Sequence, residues 1–282
     1  MSKVDIRELK TWIGRSESQR DYLSPSPAAR LAATLDSECA ELKTLPPLYH
    51  WLYFLPSCRH SALGLDGHPA LGLFLLPLSL PRRMWAGSRL KFIRPMRIGE
   101  ELIRTTSIVD VSLKEGRSGE LVFVSLRHVF ATCHEELVLE EFQDLVYRDH
   151  PRPNEETPGQ IAPVMAACTR QIHPDPMLLF RYSALTFNTH RIHYDTPYAT
   201  QVEGYPGLVV QAPLVATLLL QHLSEQIPVS RLVAFEFRAV RPLFANAPFT
   251  LCSTLEEDGR HFRLWSQNAA GELCTTAKAG IE

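Results

Sequence analysis

Residues 181–195 read RYSALTFNTHRIHYD, and they bring His190, His193, Asn188, Arg191 and Asp195 within a few positions of one another. Asn188 precedes His193 by five residues, and Asp195 follows it by two. An imidazole titrates near neutral pH, so a histidine held partly dry can take a proton from one atom and return it to another. Two other chemistries fit the residue types. His190 and His193 are three apart and would share a helix face, which with Asp195 makes a two-histidine, one-carboxylate metal site conceivable. Against it, no long helical pattern frames the run, and Arg191 would sit beside the cation. Ser183 could be a nucleophile, but no glycines surround it to form an exposed elbow.

Elements on either side must position this run. SALTFN (183–188) reads as a short helix before it, and VQAPLVATLLLQHLSEQI (210–227) as a long one after it. The apolar residues of the latter cover most of its circumference, so it is expected to be buried on nearly every side. Behind it come RLVAFEFRAVRPL, APFTLCSTLEEDG, HFRLWSQNAAGE and LCTTAKAGIE, which read as antiparallel strands joined by glycine-bearing turns. The pattern is a sheet wrapped around a central helix, the hot-dog shape.

The same order of elements occurs earlier in the chain. Asp36 lies 152 residues before Asn188, and Arg94-Pro95 lies 147 before Arg241-Pro242. Two landmarks at nearly one offset indicate a doubled unit. The expected fold is therefore α+β, a double hot-dog with two long central helices, each wrapped by an antiparallel sheet. The first unit would span 1–149 and the second 164–282, with a proline-rich linker, HPRPNEETPGQIAP, at 150–163. In the first unit Glu41 stands at the histidine position, so that unit is expected to lack the motif and to shape the acyl pocket instead.

Bulk composition narrows the function. A net charge of −2 argues against a general nucleic-acid surface. Six scattered cysteines without a CxxC pair suggest free thiols in a reducing compartment. The N-terminal residues are charged throughout, and the longest apolar run, ALGLFLLPLSL (70–80), is too short to cross a bilayer. A cytoplasmic protein without membrane attachment is expected. From Arg82 to Arg97 there are six cations and no acid, with Arg82-Arg83 beside Trp85 as a candidate carboxylate or phosphate site.

TFNTHRIHYD resembles the motif of the MaoC-like hot-dog hydratases, the R-specific enoyl-CoA hydratases and dehydratases. Asn188 falls on that family's aspartate, His193 on its histidine and Asp195 on the aspartate after it. Ala212, in VQAP, matches the glycine whose backbone N–H binds the thioester carbonyl. LPPLYHWLYFLPSC, GLDGHPA, PRRMWAGSRLKFIRPMRIGEEL, GRSGELVFVSLRH and QDLVYR further resemble the branch of mesaconyl-C4-CoA (3-methylfumaryl-CoA) hydratases, itaconyl-CoA hydratases and mitochondrial-type hydroxyacyl-thioester dehydratases.

The resemblance implies a hydro-lyase that adds water to an α,β-unsaturated acyl-CoA, itaconyl-CoA or mesaconyl-C4-CoA giving citramalyl-CoA. His193 and Asn188 would be catalytic and the Ala212 N–H the oxyanion donor. Arg191, Arg82, Arg83 and Trp85 would bind substrate, with Arg191 nearest to a substrate carboxylate. No metal or other cofactor is expected, coenzyme A being part of the substrate. Expected partners are the acyl-CoA and a second copy of the chain, paired through sheet or helix faces. Because an amide cannot abstract a proton, His193 would act as base and then acid. A hot-dog thioesterase, or a non-catalytic acyl-CoA binder, is the alternative.

Overall fold

A computed structural model describes residues 4–37, 43–116, 119–149, 159–227 and 232–282. The first half runs α1 (Ile6–Lys10), β1 (Ser16–Tyr22), α2 (Pro25–Thr34), β2 (Arg82–Phe92), β3 (Glu101–Gly116), β4 (Gly119–Ala131) and β5 (Leu137–Arg148). The second runs β6 (Cys168–Ile172), α3 (Pro176–Leu185), α4 (Ala212–Ser224), β7 (Leu232–Ala239), β8 (Phe249–Leu255), β9 (His261–Asn268) and β10 (Leu273–Ile281).

The ten strands of the described residues join one antiparallel sheet, in the order β1-β3-β4-β5-β2-β7-β10-β9-β8-β6. Each half therefore supplies five adjacent strands, and the halves meet where β2 pairs with β7. On its other edge, in the pairing with β5, β2 bulges between Trp85 and Gly87. A Cβ at Gly87 would lie 2.2 Å from the Phe237 carbonyl oxygen, so only glycine lets the backbones of β2 and β7 approach there.

The doubling is visible in single hydrogen bonds. Ser37 N–H donates to Ala32 O at 2.9 Å, and Asn188 N–H donates to Ser183 O at 2.9 Å, each just past the end of its helix. Arg94 N–H donates to Val138 O as Arg241 N–H does to Cys274 O. These bonds align the helices at an offset of 151, since α2 starts at Pro25 and α3 at Pro176. The residue opposite Asn188 is thus Ser37, a shift of one from the Asp36 expected. Asp36 instead matches Phe187, and both take positive φ, 51° and 50°. Glu41 and most of the expected linker, residues 150–158, lie outside the described residues.

Helix α4 is the central helix of the second half. Ten of its thirteen residues are buried, and it packs on β8, β9, β10 and β2. Burying a leucine contributes about 1.5–3 kcal/mol. The run from Leu214 to Leu220 is therefore the main apolar anchor of the sheet.

The double hot-dog holds, but the second long central helix does not. Between α2 and β2 the described residues contain only two short 3₁₀ turns, Tyr49–Leu52 and His60–Ala62. Six prolines (46, 47, 56, 69, 77 and 81) interrupt this segment. Each removes a helical N–H and clashes with the preceding turn. Trp51, Tyr53 and Phe54 of this segment pack into the core, with Phe54 edge-on to Phe130.

Candidate active site

The motif is built as a stop, a turn and a second turn. Helix α3 ends at Leu185, where Thr186 Oγ1 donates back to Tyr182 O at 2.8 Å. Phe187 then takes the left-handed conformation and reverses the chain. Residues Arg191–His193 form one 3₁₀ turn. Asp195 closes it, accepting from Tyr198 N–H at 3.1 Å and from Arg191 at 2.8 and 3.0 Å.

His193 is 7% exposed, and its Nδ1 lies 2.7 Å from the Val209 carbonyl oxygen. A carbonyl can only accept, so Nδ1 carries the proton and Nε2 keeps its lone pair. Val209 is itself fixed, donating its N–H to Ile192 O at 3.0 Å. Burial pulls the His193 pKa down to about 4, partly opposed by the bond to Val209. The ring is therefore neutral at physiological pH and presents a free base nitrogen.

The amide of Asn188 has a defined orientation. Its Oδ1 lies 3.1 Å from His190 N, which can only donate. Oδ1 is therefore the bonded atom, and Nδ2 is the group left to face the cleft as a donor.

Both residues line a cleft of about 2250 Å³ that reaches from the motif into the first half. The N-terminus of α4 opens on the same cleft at Gln211, Ala212 and Pro213. The first N–H groups of a helix have no partner within it, and they carry the positive end of its dipole. With Pro213 lacking an N–H, the amide of Ala212 is a donor available to an oxyanion.

Sequence comparison places the chain in a known group. Residues 48–245 match the family described as Hydroxyacyl-thioester dehydratase type 2. The chain belongs to this family. It is 45% identical to the mesaconyl-C(4)-CoA hydratase of Chloroflexus aurantiacus over 273 residues, 95% of this chain and 97% of that protein. Among solved structures, the MaoC-like dehydratase of Phytophthora capsici superposes with a TM-score of 0.72 at 12% identity, over 99% of this chain and 98% of that one. A Mycobacterium tuberculosis protein described as having a double hotdog fold superposes with a TM-score of 0.57 at 14% identity, over 95% and 96%.

Within this member of the dehydratase family, the structure brings His193, Asn188, Ala212, Arg82, Arg83 and Trp85 to one cleft. Arg191 is the exception and a correction. It does not line the cleft. Its Nε and Nη2 hold Asp195, its Nη1 donates to the Leu65 carbonyl at 3.0 Å, and its guanidinium lies over Tyr198. The same contacts remove Asp195 from the metal arrangement considered above. Ser183 is buried and accepts from Gln211 Nε2 at 2.9 Å, a structural position.

The two remaining arginines differ. Arg82 is buried against Glu203, Nε to Oε2 2.6 Å, and stacks on Tyr205 rather than on Trp85. Trp85 has its indole N–H bound to Gly87 O and Ser88 Oγ, and its ring packs on Trp51 and Phe237. Both residues are walls of the cleft. Arg83 is only partly buried and lines the cleft, and its charge acts on His68, His190, Asp66 and Tyr147.

Two features went unread in the sequence. The segment GLDGHPA places His68 in the cleft, its Nδ1 2.9 Å from Asp66 Oδ2 and its ring 4.2 Å from that of His190. An aspartate two residues before a histidine, across a glycine, was the available signal. In the first half, Glu141 is fully buried and held by His50 at 3.0 Å and by Trp51. The bonds from His50 overcome burial and bring the Glu141 carboxyl down to about 2. These partners are more than 85 positions apart in sequence, so no local pattern pointed to them.

Proposed function

We propose that this chain hydrates an α,β-unsaturated acyl-CoA, and that the acyl group carries a free carboxylate. The observation that carries the reading is the neutral His193, fixed on Val209 with Nε2 free, beside the N-terminus of α4. Water adds through its oxygen to the β-carbon while His193 Nε2 takes one of its protons. The alkene electron pair moves to the thioester oxygen, where the Ala212 N–H stabilises the enolate. The imidazolium then returns the proton to the α-carbon. Water is consumed, both its hydrogens and its oxygen are in the product, and His193 is regenerated. No group other than the chain's own residues and the substrate's CoA is required.

The carboxylate follows from Arg83 and from kinship. In mesaconyl-C4-CoA the free carboxylate is bonded to the carbon that receives the hydroxyl, so its receptor must stand next to the proton carrier. Arg83 stands there. The substrate class is a branched C5 dicarboxyl-CoA with its double bond conjugated to the thioester, as in mesaconyl-C4-CoA.

A panel of enoyl-CoA thioesters, read by enoyl absorbance and mass spectrometry, tests the reading. Water added without free CoA is expected, and most rapidly for a dicarboxyl member. His193→Ala is expected to lower kcat at least ~100-fold, the lower range for a lost acid–base group. Release of free CoA would establish a thioesterase, and binding with neither change an acyl-CoA binder. Hydration by His193→Ala within about threefold of wild type would exclude His193 as the proton carrier.

A further inference from the structure

We propose that His68 is a second catalytic histidine, which accepts the other O–H of the attacking water, and that Asp66 is its positioning residue. The proposal rests on the hydration reading above. A water poised for attack has two hydrogens and two lone pairs. His193 Nε2 takes one hydrogen, and one lone pair must be left for the β-carbon. Asn188 meets the water with Nδ2, a donor, which occupies the other lone pair. The second hydrogen needs an acceptor that Asn188 does not provide.

The segment 65–68 supplies one. His68 lines the cleft with Asn188 and His193, while Asp66 does not. The rings of His68, His190 and His193 follow one another at centroid separations of 4.2 and 5.4 Å. Asp66 Oδ1 accepts from His68 N–H at 3.0 Å, and Oδ2 accepts from His68 Nδ1 at 2.9 Å. With its proton held at Nδ1, the His68 ring has an unprotonated Nε2.

The first half is also tied to the motif by its backbone. Arg191 N–H donates to Asp66 O at 2.9 Å, Thr189 Oγ1 donates to Gly67 O, and Arg191 Nη1 holds Leu65 O. A carboxylate that is absent from position 188 is thus present behind His68, contributed by the other half of the chain. The charged and titratable groups facing His68 are Asp66, Arg83, His190 and His193.

Asp66, His68 and His190 are also close enough to hold a metal ion. The cation of Arg83 acts on all three and opposes that use.

Asp66→Asn separates the roles. The side-chain oxygen of the asparagine must stay on His68 N–H, because an amide nitrogen cannot accept. The nitrogen then faces His68 Nδ1 as a donor and moves the imidazole proton to Nε2, where it would meet the water's hydrogen. Steady-state hydration by wild type, Asp66→Asn, His68→Ala and His68→Gln is measured, with ¹⁵N NMR of the imidazoles. Asp66→Asn and His68→Ala are expected to lower kcat at least about tenfold with KM within about twofold. The NMR tautomer of His68 should change from Nδ1–H to Nε2–H in Asp66→Asn. His68→Gln, whose Oε1 accepts, should recover part of the loss.

Wild-type hydration with both Asp66→Asn and His68→Ala within about threefold of it would overturn the proposal and leave the hydratase reading intact. So would activity lost on dialysis against a chelator and restored by zinc, because Nε2 would then be a ligand. A wild-type chain that hydrates no member of the panel overturns the reading and the proposal together.

Discussion

Gly67 lies so close to Thr189 that a Cβ on it would stand 1.9 Å from the Thr189 carbonyl oxygen. Gly67 also has φ +91°, which a residue with a side chain adopts at a cost. Gly67→Ala is therefore expected to push segment 65–68 off the motif. Activity should fall at least about tenfold, while thermal unfolding shifts by only a few degrees, since a loop contact of about 1–3 kcal/mol is lost and α4 is untouched. Activity and unfolding temperature measured on one preparation check both halves of this statement.

The pH dependence has a definite sign. His193 is active as the neutral base, and its pKa in the folded chain is about 4. The kcat should be flat from pH 6 to 8 and fall on the acid side as pH drops toward 4, without the inflection near 6.5 of a solvated histidine. A profile with its acid limb centred near 6.5 would contradict the buried, neutral ring.

Stability should move with pH as well. Burial lowers the pKa values of His68, His190 and His193, so below about pH 6.5 the unfolded chain binds protons that the folded chain does not. Stability contributed by these groups is full above the unfolded value and is lost as pH falls toward 4. Urea unfolding is expected to show a lower midpoint at pH 5 than at pH 7, and His190→Phe should reduce that difference.

Asn188→Asp is expected to fail as Asn188→Ala does. One carboxylate oxygen would keep the His190 N–H, and the other would offer the water an acceptor where a donor is needed. Both variants should lose at least about tenfold in kcat. Near wild-type kcat for Asn188→Asp would show that position 188 meets the water through an acceptor.

Arg83→Gln should separate substrates by their charge. A charge-assisted hydrogen bond is worth about 1.5–3 kcal/mol, so kcat/KM for a dicarboxyl enoyl-CoA should fall about tenfold or more. A linear enoyl-CoA without the carboxylate should change little. Equal losses on both would place Arg83 in the architecture of the cleft rather than against the acyl group.

The fold was legible wherever sequence distance was short or the period was regular. The apolar run of α4, the glycine turns of β7–β10 and the paired landmarks near Asn188 and Arg241 all lay in continuous stretches. The missing first-half helix is also written in the chain, in prolines 46, 47, 56, 69, 77 and 81, which oppose the helix that the repeat suggests.

In the site, His193 and Asn188 stood out by type and spacing. Nearness in sequence points Arg191 at the ligand, but a turn aims it at Asp195 and Leu65. The approach of His68 to His190 joins residues 122 positions apart, and tertiary contacts at that distance leave no periodic trace.

The seam at β2 and β7 has a consequence for how such a molecule can change over generations. Two identical copies meeting in this way would be bound to mirror one another, each substitution appearing twice and each reaction centre duplicated. With both copies in one polypeptide, that symmetry no longer binds them. One copy could surrender its helix to proline and its motif to other uses while the other kept the proton carrier. The result is a lopsided chamber, with one half bearing the reactive ring and the other furnishing the walls and the histidine opposite. A tight-binding analogue should accordingly titrate the protein at one equivalent per chain, half the number of hot-dog units.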